Sequence, residues 1–124
     1  MLAQKKILIV DDDSRNIFAL RAVLKSKGLE CATADNALKA INMMQEDETI
    51  GIVLMDMMMP DMDGYQAIST MKKSEKMQNI PVLAVTAQAM VGDKERCLSA
   101  GAYGYVSKPI NVDELTGLLT RYVL

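Results

Sequence analysis

The chain predicts an α/β fold, a five-stranded parallel sheet doubly wound by helices. Three observations carry this. Five short apolar runs alternate with five helical patterns, and such alternation builds right-handed crossovers that lay helices on both faces of a parallel sheet. The first, third and fourth runs are nearly all apolar, as strands covered on both faces must be. Acids close two of those runs, Asp11-Asp12-Asp13 after the first and Asp56 after the third, at the strand ends where open α/β sheets form their ligand crevice. A length of 124 residues, 50% of them hydrophobic, is enough for one domain over 1–124 with a real core.

The strands are expected near Ile7–Val10, Glu30–Ala34, Ile52–Met55, Val82–Val85 and Tyr103–Val106, the second being mixed in character and so an edge strand. Of the helices, the first shows Ile17, Leu20 and Leu24 on one face, with Gly28 after Lys25 and Lys27 as its stop. Leu38, Ile41 and Met44 mark the second, Ile68 and Met71 a short third. The fourth, around Val91–Ala100, is weakly patterned. The fifth carries Leu115, Leu118, Leu119 and Tyr122 at i, i+3, i+4 and i+7, with Asn111 and Glu114 spaced as a capping box.

Composition narrows the function. A net charge of −2 leaves no electrostatic footprint for nucleic acid. No apolar stretch approaches membrane-spanning length, and Met1–Lys6 lacks a signal-peptide layout, which points to a cytoplasmic protein. Cys31 and Cys97 are too few for a zinc site or a disulfide framework. The absence of His removes histidine catalysis and leaves Cys97 without its usual base as a nucleophile. The eleven Met read first as gap-filling core and loop residues, with a metal-binding cluster at 57–59 as the sharper alternative.

Asp56 is the strongest functional candidate, because an acid at the end of a buried strand is costly unless something pairs or uses it. With Asp11 and Asp12 at a neighbouring strand end, two carboxylates about 5 Å apart repel by roughly 3 kcal/mol at an effective dielectric near 20. Such a trio needs a cation, or one member must take up a proton. With oxygen ligands only, a hard divalent ion such as Mg²⁺ fits. The plainer reading is that one of Asp11, Asp12 and Asp13 caps the first helix, for which Asp13 or Ser14 is best placed. Thr86 and Lys108 close the fourth and fifth strands. A hydroxyl and an ammonium facing carboxylates and a metal ion make a compact phosphoryl site. No glycine-rich phosphate loop follows the first strand, which argues against nucleotide binding.

These residues, taken together, resemble the receiver domain of two-component response regulators. The likeness spans essentially the whole chain. It rests on the acidic pair Asp11-Asp12, the Asp56-Met57-Met58-Met59-Pro60-Asp61-Met62-Asp63-Gly64 loop, Val85-Thr86-Ala87, and Ser107-Lys108-Pro109. The resemblance implies a flavodoxin-like (βα)5 fold with strand order 2-1-3-4-5. It implies Asp56 as phosphoacceptor, Asp12 as direct Mg²⁺ ligand, Asp11 as a ligand through water, and the Met58 carbonyl as backbone ligand. It further implies Lys108 as the phosphoryl-pairing lysine, Thr86 and Tyr105 as switch residues, and a cis bond before Pro109. The implied partner is a histidine kinase or histidine phosphotransfer protein. The domain would assist its own phosphorylation without being a turnover enzyme, as a monomer or weak dimer without direct nucleic-acid or membrane contact.

Asp11–Asn16 with Phe18-Ala19-Leu20, Thr86–Met90 leading to Asp93–Cys97, and Lys108–Asn111 are similar to receivers attached to hybrid sensor histidine kinases, whose parent chain could be membrane-anchored. That is the expected context. A stand-alone single-domain regulator, a fragment of a DNA-binding regulator and a phosphorylation-independent interaction module are the alternatives. An aspartate-nucleophile phosphohydrolase is disfavoured, because that class needs D-x-D where this chain has Asp56-Met57-Met58.

Overall fold

The computed structural model describes residues 5–87 and 92–123, with backbone only at 122 and 123. The elements run β1 Lys6–Val10, α1 Ser14–Ser26, β2 Cys31–Ala34, α2 Ala37–Glu46, β3 Ile50–Asp56, α3 Gly64–Lys72, β4 Val82–Thr86, α4 Asp93–Ala100, β5 Gly104–Ser107 and α5 Val112–Val123. The strands form one sheet ordered β2-β1-β3-β4-β5, every pair parallel. This is the expected fold and strand order, with β2 at an edge.

Side-chain alternation divides the interior in two. On one face of the sheet, Leu8, Val10, Val53, Met55, Val82 and Ala84 pack under α2, α3 and α4. On the other, Ile7, Ile9, Leu54, Leu83, Val85 and Val106 pack under Leu24 of α1 and Leu115 and Leu119 of α5. The central strands are apolar on both sides because both sides are covered.

Local chemistry sets the helix starts. The Asp13 side chain accepts from the Arg15 amide at 2.9 Å, which bears out the capping reading for that residue. Asn111 accepts from the Glu114 amide at 2.9 Å. A reciprocal capping box stands at α3, where Asp63 accepts from the Gln66 amide and Gln66 accepts from the Asp63 amide.

Three expectations need adjustment. Leu38 is 59% exposed, because the buried stripe of α2 is Ala37, Ala40, Ile41 and Met44 and leaves position 38 turned to solvent. The fifth strand lies one residue later than expected, which carries Ser107 into register with Thr86. Within the described residues α4 begins at Asp93, between left-handed Gly92 (φ 88°) and Gly101 (φ 118°). Residues 88–91, which include Val91 and the end of the Thr86–Met90 run, lie outside the described residues, as does the side chain of Tyr122.

Candidate functional site

The parallel register brings the carboxyl ends of β1, β3, β4 and β5 to one edge. Val10 pairs with Met55, Asp56 with Val85, and Thr86 with Ser107. The residues that follow are therefore delivered to one point, as the strand-end argument expects.

Asp11, Asp12 and Asp56 each offer an oxygen to a cluster whose atoms lie within 4.8 Å of one another. Asp56 is 5% exposed and Asp11 7%, while Asp12 opens to solvent. The backbone aims two of these acids. Asp56 Oδ1 accepts from the Met58 amide at 3.0 Å, and Asp11 Oδ1 from the Asp13 amide at 2.9 Å. Their other oxygens face Lys108, whose Nζ lies 3.4 Å from Asp11 Oδ2 and 3.5 Å from Asp56 Oδ2. The Lys108 amide donates to the Thr86 carbonyl at 2.8 Å, and the Lys108–Pro109 bond is cis. Thr86 is buried at the next strand end.

The loop from Asp56 to α3 is held close. The Met57 amide donates to the Val85 carbonyl at 2.9 Å, and the Gly64 amide to the Met57 carbonyl at 3.3 Å. A Cβ on Gly64 would stand 2.4 Å from Met57 Sδ and 2.8 Å from Met57 Cα, so only glycine fits there. Met57 and Met59 are buried, whereas Met58 between them is 56% exposed. Met57 and Met59 thus pack into the core, as the gap-filling reading expects, while Met58 turns to solvent.

Electrostatics leave the cluster short of positive charge. Burial raises the Asp56 pKa, the Met58 amide and Lys108 pull it down, and Asp11 and Asp12 push it up again, with a net rise. Burial lowers the Lys108 pKa, but Asp56 and Asp11 outweigh it and hold the ammonium above its usual range. Lys108 thus offsets part of the charge of three carboxylates. A hard all-oxygen donor set with excess negative charge fits a divalent cation such as Mg²⁺.

Of the residues expected at the site, Asp11, Asp12, Asp56 and Lys108 form the cluster, the Met58 peptide touches it, and Thr86 adjoins it. Tyr105 stands apart. It pairs with Ala84 and shares a sheet face with Thr86 by alternation. Its hydroxyl donates to Asp93 Oδ2 at 3.3 Å. Sequence reasoning misses Asp93 and its second partner, Tyr65, because three separate elements meet there and nothing in the local pattern joins them. Cys97 is fully buried, and burial raises its pKa despite the hydrogen bond it shares with the Tyr65 hydroxyl, so it has the character of an inert core thiol.

Comparison with known proteins agrees with this geometry. The family profile of the response regulator receiver domain matches residues 7–120. The polar-differentiation response regulator DivK of Brucella anthropi is 33% identical over 119 residues, which cover 96% of each chain. The crystal structure of a response regulator receiver protein from Pseudomonas putida superposes with a TM-score of 0.90 at 26% identity, covering 98% of this chain and 99% of that one. The receiver domain of the Pseudomonas aeruginosa sensor histidine kinase PA1611, solved with a magnesium ion coordinated in its active site cleft, gives a TM-score of 0.87 at 32% identity, covering 98% of both chains.

Proposed function

The chain belongs to the response regulator receiver domain family, and from that membership we propose that it takes a phosphoryl group from a partner's phosphohistidine onto Asp56. The observation that carries this is the meeting of Asp11, Asp12, Asp56 and Lys108 at one strand-end pocket. An Asp56 carboxylate oxygen attacks phosphorus, the P–N bond breaks, and its electron pair leaves with the imidazole, which takes up a proton. Asp12 directly, Asp11 through water, Asp56 and the Met58 carbonyl would hold Mg²⁺. When bound, the ion neutralises phosphoryl charge that Lys108 alone cannot. Lys108 pairs with a phosphoryl oxygen, and the Thr86 hydroxyl donates to another.

In this reading Thr86 moves toward the phosphoryl group and Tyr105 turns inward behind it, which repacks the face of α4, β5 and α5. The shared sheet face of the two residues supports that coupling. Partner docking is proposed at α1, where Phe18 is 77% exposed. Beside it a groove lined by Asn16, Ala19, Leu20, Ile110 and Val112 opens onto Asp11 and Lys108. The partner is a histidine kinase or histidine phosphotransfer protein, and the domain works in the cytoplasm.

A stand-alone single-domain regulator is the context better supported, since the match to the Brucella regulator covers 96% of that protein's own length. The hybrid-kinase context is the second reading, favoured by the 32% identity to the receiver of a sensor histidine kinase.

Intact mass after incubation with acetyl phosphate, with and without Mg²⁺, tests the proposal. The expected result is a Mg²⁺-dependent gain of one phosphoryl group that disappears in Asp56→Asn. A folded wild type that gains nothing from acetyl phosphate or from a phosphorylated histidine phosphotransfer domain would turn the reading toward an interaction module.

A further inference from the structure

The start of α4 is held differently from the starts of the first three helices. Asp13, Asn36 and Asp63 cap α1, α2 and α3 through their side chains, whereas Gly92 before α4 makes no side-chain cap bond. The helix has 8 residues, and Cys97 is its buried one. So short a helix, with so little buried, depends on tertiary contacts. Its first residue supplies two of them. Asp93 Oδ1 accepts from the Tyr65 hydroxyl at 3.3 Å and Oδ2 from the Tyr105 hydroxyl at 3.3 Å. The two oxygens of one carboxylate thus serve two tyrosines, one from α3 and one from β5. One turn on, the Arg96 guanidinium lies 4.0 Å from the centre of the Tyr65 ring, and Cys97 Sγ lies 3.6 Å from the Tyr65 hydroxyl.

The two partners differ in freedom. Tyr65 follows Gly64, which is pressed against Met57, so its backbone is fixed by the loop beside Asp56. Tyr105 sits on edge strand β5, on the same sheet face as Thr86. An inward turn of Tyr105 would break one of the two bonds and leave the other.

We propose that Asp93 is a positioning residue for the switch, a carboxylate latch that holds the Tyr105 hydroxyl at the start of α4 in the unphosphorylated protein and keeps α4 tied to Tyr65 when Tyr105 leaves. The proposal rests on the receiver reading above and adds to it the group against which the switch works. The latch sets the population of the inward state before any phosphoryl group arrives, and with it the ease of phosphorylation.

The test combines fluorine spectroscopy with kinetics. The chain has four tyrosines and no tryptophan, so 3-fluorotyrosine labelling yields a sparse spectrum assignable by single Tyr→Phe variants. In Asp93→Ala without any ligand, the Tyr105 resonance is expected to move toward the position it takes in wild type with Mg²⁺ and beryllofluoride. Phosphorylation by acetyl phosphate is expected to quicken roughly fivefold, the shift that follows from losing one hydrogen bond. Tyr105→Phe, which removes only the hydroxyl, should show a similar acceleration, and the double variant should be no faster than either single one. An unmoved Tyr105 resonance in Asp93→Ala overturns the latch, as does an unchanged rate in a well-folded Tyr105→Phe. A wild type that takes up no phosphoryl group sinks the receiver reading instead, whereas an unmoved Tyr105 resonance in unliganded Asp93→Ala overturns the latch alone.

Discussion

The Lys108 ammonium stands 3.5 Å from the Asp56 carboxylate, brought there from β5 across the intervening strand β4. It lowers the charge cost of an acid that burial and two neighbouring aspartates push toward protonation. Replacing Lys108 with Met keeps much of the side-chain volume and removes the charge. Phosphorylation by acetyl phosphate at neutral pH should then slow by a factor on the order of 10 to 100, the range for losing one preorganised electrostatic contact. Initial rates by intact mass measure this, with circular dichroism to show that the variant folds. An unimpaired rate would remove Lys108 from the chemistry.

Asp12 contributes to the same crowding but from the solvent side. Neutralising it as Asp12→Asn relieves repulsion in metal-free protein and weakens the metal site. The melting temperature in EDTA should rise by a few degrees, about 1 kcal/mol for a partly screened pair. Added Mg²⁺ should stabilise wild type and leave the variant nearly unmoved. Thermal melts of both proteins with and without Mg²⁺ check the opposite signs. A variant that responds to Mg²⁺ like wild type would exclude Asp12 as a ligand.

Much of this site is legible in the sequence, because a parallel sheet converts distance along the chain into proximity at strand ends. Asp11, Asp56, Thr86 and Lys108 each close an apolar run, and register does the rest. The cap at Asp13 is legible for a local reason, a short acidic side chain just before a helical pattern. Leu38 is misjudged because Ala37 and Ala40, which carry little hydrophobic signal, form the buried stripe in its place. The need for glycine at position 64 follows from its approach to Met57, a contact between two ends of one loop. Asp93 is invisible in the sequence because its two partners come from α3 and β5.

Away from the site, the Lys6 ammonium lies 3.1 Å from Asp47, which also accepts from the amide and hydroxyl of Thr49. The Thr49 hydroxyl, its amide and then Lys6 lower the Asp47 pKa from 3.8 to about 2. A carboxyl depressed in the folded state binds its proton more readily when unfolded. Its contribution is therefore full above the unfolded value and fades as pH falls through the folded one. Asp47→Asn should lower the melting temperature by a constant amount above about pH 5, with the difference closing toward pH 2. Paired melts across that range decide it. A gap that persists undiminished at pH 2 would mean that Asp47 acts through its shape and not through its charge.

Met58 bears on how long a phosphoryl group would survive. Its amide holds Asp56 Oδ1 at 3.0 Å while its side chain is 56% exposed. An apolar side chain there neither accepts a proton from an attacking water nor orients it. The aspartyl phosphate should therefore be moderately long-lived. Met58→Asn supplies a side-chain carbonyl that can hold the attacking water, without altering the backbone amide that binds Asp56. Its expected effect is hydrolysis faster by a factor of several, well below the 10²–10⁴ of a dedicated general base, because an amide orients water but takes no proton. Decay of the phosphorylated mass after removal of donor gives both rates. Equal lifetimes would show that water reaches the phosphoryl group from a side that Met58 does not control.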